Sequence, residues 1–297
     1  MTLVVLLALA PASAAAHGGG EIIFPAEVLS HWHPDPLPLL LALGVVALYG
    51  IGLTRLWRRA GVGRGVRGWQ AGLFAGGVLL FLFALASPLE SVTGTLLTAH
   101  MIQHVTLVAA APALVLLGRP DIVLLWTIPQ RWRHGTAAAL STAANVLRPL
   151  VRPVPAALIH GAVIWAWHAP PLFEAALASD LVHDLEHATF VATAFLFWQA
   201  IFLAMRRSAW RLAGLVAIVL TVIQSGLLGA LLTLSNRVLY PAYGDGPLAW
   251  NLTALADQQL AGLVMWVPAA AAYLAAGVAL GAAILGFTGM PRPQRLT

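Results

Sequence analysis

Two histidine pairs stand four residues apart, His100-Met-Ile-Gln-His104 and His183-Asp-Leu-Glu-His187. Residues four apart on an α-helix share a face, with Cβ atoms about 6 Å apart, so each pair presents two imidazoles together. Neutral imidazole is the commonest protein ligand for a metal. His168 is a fifth candidate, and Met101 and Met265 add thioether sulfur. Softer neighbours of this kind favour copper over magnesium or calcium. Glu186 or Asp184 could orient an imidazole from behind, and Asp257, Gln258 and Gln259 bring further polar groups. Paired histidines on facing helices can also ligate haem axially, so haem stays open beside copper as the bound group.

The remaining histidines carry weaker signals. His31 and His33 read as loop residues and His134 as structural, while His160 is either a packing residue or an inner relay group. Removal of residues 1–16 would make His17 a mature N-terminus, where amine and imidazole together can chelate copper; the alternative is an ordinary His-Gly-Gly-Gly tail. His183-x-x-Glu186-His187 matches the inverted zinc-protease motif, but no downstream acidic ligand stands in a recognisable setting. There is no nucleophile elbow and no Walker or dinucleotide glycine pattern. With no cysteine in the chain, disulfides, thiolate metal sites and CxxC redox chemistry are excluded.

The elements that must position these residues are membrane helices. Hydrophobic residues make up 60% of the 297 positions and charged residues 9%, against about 25% charged in soluble domains. Such a chain has too little polar surface to cover itself in water, so the lipid bilayer is its expected solvent. A span needs about 20 mostly apolar residues, and seven stretches qualify: 36–57, 69–87, 97–117, 154–170, 183–205, 212–235 and 254–284. Ten-residue alternating β-barrel strands are absent, leaving an all-α polytopic bundle of seven transmembrane helices.

Charge sets the orientation. All 16 basic residues are arginine, and 15 of them fall in loops on one side, with only Arg237 opposite. The positive-inside rule places that side in the cytoplasm. Ten of the 11 acids lie on the other side or at its rim, Asp121 being the exception. The expected topology is N-out/C-in, with His100, His104, His168, His183 and His187 at one depth near the outer surface. The net charge of +5 is dispersed through short loops, so it does not indicate nucleic-acid binding. The expected organisation is a signal peptide at 1–16, an external N-terminal segment at 17–35, a seven-span membrane domain at 36–290 and a cytoplasmic tail at 291–297. The 118–153 connection, with DIVLLWTIP and an apolar stretch at 137–147, suggests short interfacial helices.

Four segments together resemble a known family: HMIQHVTLVAAAPALVLLGRP at 100–120, WHAPPLFEAAL at 167–177, HDLEHATFVATAFLFW at 183–198 and DQQLAGLVMWVPAAAAYL at 257–274. They are similar to the polytopic CtaG-type cytochrome c oxidase assembly factors, distinct from the single-span copper chaperone that shares the name. The first span and the 118–153 connection match only in general character. The resemblance implies a multi-pass protein of the bacterial plasma membrane, needed to produce active haem–copper oxidase and not itself an enzyme. It implies functional roles for His100, His104, Trp167, His168, His183, Glu186, His187, Asp257 and Gln258. Side-chain chemistry adds copper as the metal, an oxidase subunit as its recipient and a copper donor protein as its source. A haem-binding electron carrier is a second reading and a copper or proton transporter a third, although the inner half offers mainly His160 and Gln224 for a path.

Overall fold

The computed structural model describes residues 22–146 and 148–286; the expected signal peptide, His17 and the C-terminal tail lie outside them. Seven principal helices follow one another: α1 (Pro36–Ala60), α2 (Gly68–Ala86), α3 (Leu97–Leu117), α4 (Pro153–Trp167), α5 (Asp180–Arg206), α6 (Arg211–Leu234) and α7 (Ala254–Leu285). No strand occurs among the described residues.

Six of the seven are long and apolar enough to cross a membrane. α4 is the exception, an apolar helix of 15 residues, spanning about 22 Å at 1.5 Å per residue. Prolines bound it: Pro153 opens it, and Pro170 opens a separate short helix, Pro170–Ala178. The expected stretch 154–170 therefore divides into a short helix and a turn. In the 118–153 connection, Pro120–Leu125 and Gln130–Val146 are helical.

Local chemistry sets the helix ends. Asp35 accepts from the Leu37 amide at 2.8 Å and Pro36 occupies the first turn of α1, satisfying one of the amides a helix start leaves open. Gly61 at φ +96° closes α1, a conformation that favours glycine. Inside α3, Pro112 has no N–H to give to the Val108 carbonyl, four residues back. The helix widens there into a π turn over Thr106–Ala110, and the indole of Trp198 on α5 donates to the freed Val108 oxygen at 3.0 Å. α3 is thus pinned to α5 one turn below His104.

α3 and α5 form the interior of the bundle: 56% and 50% of their apolar windows are buried, against 22% for α1. Phe190, Phe197, Trp198 and Ile201 of α5 are fully enclosed, whereas Leu40, Leu43 and Val278 on outer helices remain exposed, as suits contact with lipid. α6 and α7 approach closely through glycines. A Cβ added at Gly262 would lie 2.6 Å from the Gly229 carbonyl oxygen, so only small residues permit this packing.

Candidate metal centre

α3 begins with Leu97, so His100 and His104 occupy its first two turns, and His183 and His187 occupy those of α5. The two helices start at the same end of the bundle and their histidine faces turn inward on each other. One nitrogen from each of His100, His104, His183 and His187 lies within 4.8 Å of all the others. All four residues are buried. His100 Nε2 and His104 Nε2 are 2.9 Å apart, and the ring centroids are 4.1 Å apart for His183 and His187 and 5.2 Å apart for His104 and His187.

Four nitrogens about 2.0–2.1 Å from one tetrahedral ion would stand roughly 3.4 Å from each other. The observed spacings bracket that value, so small side-chain rotations suffice to close the shell. Neutral imidazoles repel no cation, and the Glu186 carboxylate, fully buried, comes within 3.9 Å of His104 Nε2. Neither Glu186 oxygen has a hydrogen-bond partner among the described residues, nor does His104 Nδ1. A buried carboxylate without donors is costly, and a cation held by the adjoining imidazoles would offset its charge. The donor set therefore fits a metal ion.

The walls of the centre come from aromatic residues and one irregular loop. Phe173 and Phe190 pack against His100 and His104, at 5.1 and 4.9 Å between ring centroids. Tyr243, on the short turn Pro241–Tyr243 between α6 and α7, reaches His100 Nδ1 with its hydroxyl at 3.1 Å. With Nδ1 protonated, His100 donates to that oxygen and leaves its Nε2 lone pair facing His104 Nε2. Burial, followed by the nearby Asp257 and Glu186, pushes the Tyr243 hydroxyl well above its ordinary pKa, so it stays neutral. Sequence reading did not single out Tyr243, because its contact with His100 spans 143 positions and no periodic pattern marks its loop.

The other expected residues take varied positions. Asp257 accepts from the amides of Leu97 and Thr98 at 2.7 and 3.1 Å, a charged cap for α3 supplied by the start of α7. It holds the helix that carries His100 and His104. Gln258 accepts from the Leu239 amide and donates to the Arg237 carbonyl, fastening the α6–α7 loop. Trp167 donates to Thr189 at 2.8 Å, tying α4 to α5 beside Glu186. Asp184 is half-buried on α5. His168 and Met101 are not in the four-nitrogen group: the His168 ring is 6.2 Å from that of His104, and both residues line a small adjoining cavity with His104 and Met265.

His160 sits deeper, stacked on Phe197 at 5.5 Å with Nδ1 3.1 Å from Thr193. His31 bonds to the Glu27 carbonyl and His33 is exposed.

Uncharacterized proteins of Mycobacterium bovis and Mycobacterium tuberculosis are each 27% identical to the chain over 255 residues, covering 81% of it. The chain spans 37% of the length of these two curated relatives. No solved structure matches. The family profile described as cytochrome c oxidase caa3 assembly factor (CtaG) matches residues 47–285, a stretch that holds all four converging histidines, Glu186, Tyr243 and Asp257, and on that match the chain belongs to the cytochrome c oxidase caa3 assembly factor family.

Proposed function

We propose that this family member binds copper in the His100, His104, His183 and His187 centre and passes it to an oxidase subunit during assembly. The observation that carries the reading is the convergence of four buried imidazole nitrogens within 4.8 Å. Copper is the cargo, and the residues hold it: the four histidines as ligands, Glu186 offsetting its charge, Tyr243 and Asp257 fixing the ligands' positions. Imidazole suits copper, zinc and iron alike; the oxidase named by the family is a haem–copper enzyme, which favours copper. The close packing of Phe173 and Phe190 on the rings favours a bare ion over a macrocycle, and a Soret band in the purified protein would reverse that preference.

In this reading the histidine end of the bundle faces outward across a bacterial plasma membrane and receives copper from a donor protein on that side. The N-terminal segment is external and the seven-helix domain ends in a cytoplasmic tail. The arginine asymmetry supports this direction. A reporter fused after Thr297 is expected to read as cytoplasmic, and an external reading would turn the site to the other face.

The decisive experiment replaces His100 and His104 together by alanine. Alanine is compatible with a membrane helix and leaves the arginines in place, so insertion is expected to persist. Copper held by the four-histidine centre is expected to be lost and oxidase activity to fall, with partial recovery in excess copper by mass action. Protein level is checked by immunoblot. Undiminished oxidase activity in a double variant that has lost the copper of this centre would defeat copper delivery from it and leave a scaffolding role.

A further inference from the structure

The cavity beyond His104 has its own chemistry. It is small, about 20 Å³, and its lining includes Met101, His104, His168, Ser225, Met265 and Tyr273. Met101, Met265 and His168 are each more than nine-tenths buried. His168 Nδ1 lies 2.8 Å from the Ile164 carbonyl oxygen. A carbonyl can only accept, so Nδ1 carries the proton and Nε2 is left as a bare lone pair. That nitrogen has no hydrogen-bond partner among the described residues. The cavity is thus lined by an imidazole with an unsatisfied nitrogen and by two thioether side chains.

The volume would admit about one water molecule, for which the cavity offers His168 Nε2 and the Tyr273 hydroxyl. The two sulfurs are weak acceptors that a water would leave unused. A soft monovalent cation suits the same three ligands. Thioether and imidazole select Cu(I) among biological metals, and neither ligand adds a charge that would favour a divalent ion.

We propose that His168, Met101 and Met265 form a second, softer position for Cu(I), separated from the four-histidine centre by the ring of His104. A neutral imidazole has one lone pair, so His104 serves the cluster or the cavity at any moment, not both. Two cations at this separation in apolar surroundings would repel strongly, so the positions are alternative seats for one ion. The nitrogen-rich cluster is the general seat and the sulfur-bearing cavity the seat selective for reduced copper. This deepens the copper reading by giving the same ion an oxidation-state preference. The cavity's ligands nevertheless differ from the cluster's, so the two can fail separately.

The test is X-ray absorption at the copper edge on the full chain in lipid nanodiscs, loaded with Cu(I) under anaerobic ascorbate. The wild type is expected to show sulfur as well as nitrogen scatterers. Met101→Leu with Met265→Leu, a near-isosteric change, is expected to lose the sulfur shell while keeping nitrogen-bound copper. His183→Ala with His187→Ala is expected to lose nitrogen scatterers and retain a sulfur-ligated ion. Absence of a sulfur shell in the wild-type protein overturns the second seat and leaves the cluster untouched; that measurement depends on no variant folding. An unchanged ratio of nitrogen to sulfur scatterers in the wild type and the His183/His187 variant would uphold the seat and sink the four-histidine centre instead.

Discussion

Two buried regions of this bundle use histidine in opposite ways. At the histidine end, four imidazoles from α3 and α5 face each other beside a buried carboxylate, and a loop tyrosine reaches one ring. In the middle, His160 of α4 is fully buried too, yet it meets a threonine hydroxyl and the face of Phe197. Burial of a histidine is common to both regions and so says nothing about metal. What separates them is company: four ring nitrogens gathered within 4.8 Å of one another, against one ring absorbed into packing. A ligand set can also contract onto an ion only where helices present their side chains at a common height. α3 and α5 do so because both begin at the same end of the bundle.

The contrast predicts unequal effects for substitutions of similar size. The largest is expected for Glu186→Gln, which keeps the shape of the side chain and removes its charge. Residues that support metal ligands typically contribute 10- to 100-fold to affinity, and Glu186 is a buried carboxylate 3.9 Å from His104 Nε2, a nitrogen of the proposed centre. Copper affinity is expected to fall by about that factor, read by competition with a chelator. Affinity within twofold of wild type would mean that the carboxylate serves packing alone, and the histidine end would lose its electrostatic distinction.

A smaller loss is expected from Tyr243→Phe, which deletes one neutral hydrogen bond to His100 and leaves the ring in place. A bond of this kind is worth about 0.5–1.5 kcal/mol, so copper should bind up to about 10-fold more weakly, with stability lowered by no more than that amount. A drop in stability without any change in affinity would assign Tyr243 to the loop's packing instead.

Much of this architecture is legible from the residues. The ends of α3, α6 and α7 fall within a residue of the hydropathy limits, because lipid demands uninterrupted apolar stretches. The pairs at 100/104 and 183/187 were visible as helical faces, and their common depth followed from counting inward from the span ends. The role of Asp257 was not visible: it caps a helix 160 positions away, and nothing local to it distinguishes a cap from a ligand support. Nor was the π turn foreseeable. Pro112 announces a lost hydrogen bond, but the Trp198 indole that compensates it comes from another helix. The break after α4 was legible in principle from Pro170 and Pro171, where apolar composition outweighed the proline signal. Spacing along one helix is local information; convergence between helices depends on packing that only the folded chain displays.

The smallest effect is expected at His160, and it tests the comparison from its other side. His160 Nε2 has no hydrogen-bond partner among the described residues, so the ring carries a buried polar atom that packing does not use. His160→Phe would remove that atom, add little volume and keep an aromatic face against Phe197. Losing the contact with Thr193 costs little, because the Thr193 hydroxyl already has the Thr189 carbonyl at 2.9 Å as an acceptor. Relief of the orphaned nitrogen, about 1–3 kcal/mol, and crowding by the larger ring, about 1–3 kcal/mol, oppose each other, so the net change in stability should stay within about 2 kcal/mol. Copper content should match the wild type, since His160 is not among the converging histidines. Metal analysis and thermal unfolding of the same preparation read both quantities. If His160→Phe keeps its stability yet loses copper, the mid-bundle histidine belongs to the metal's route. The division of the bundle into a binding end and a packing middle would then fall.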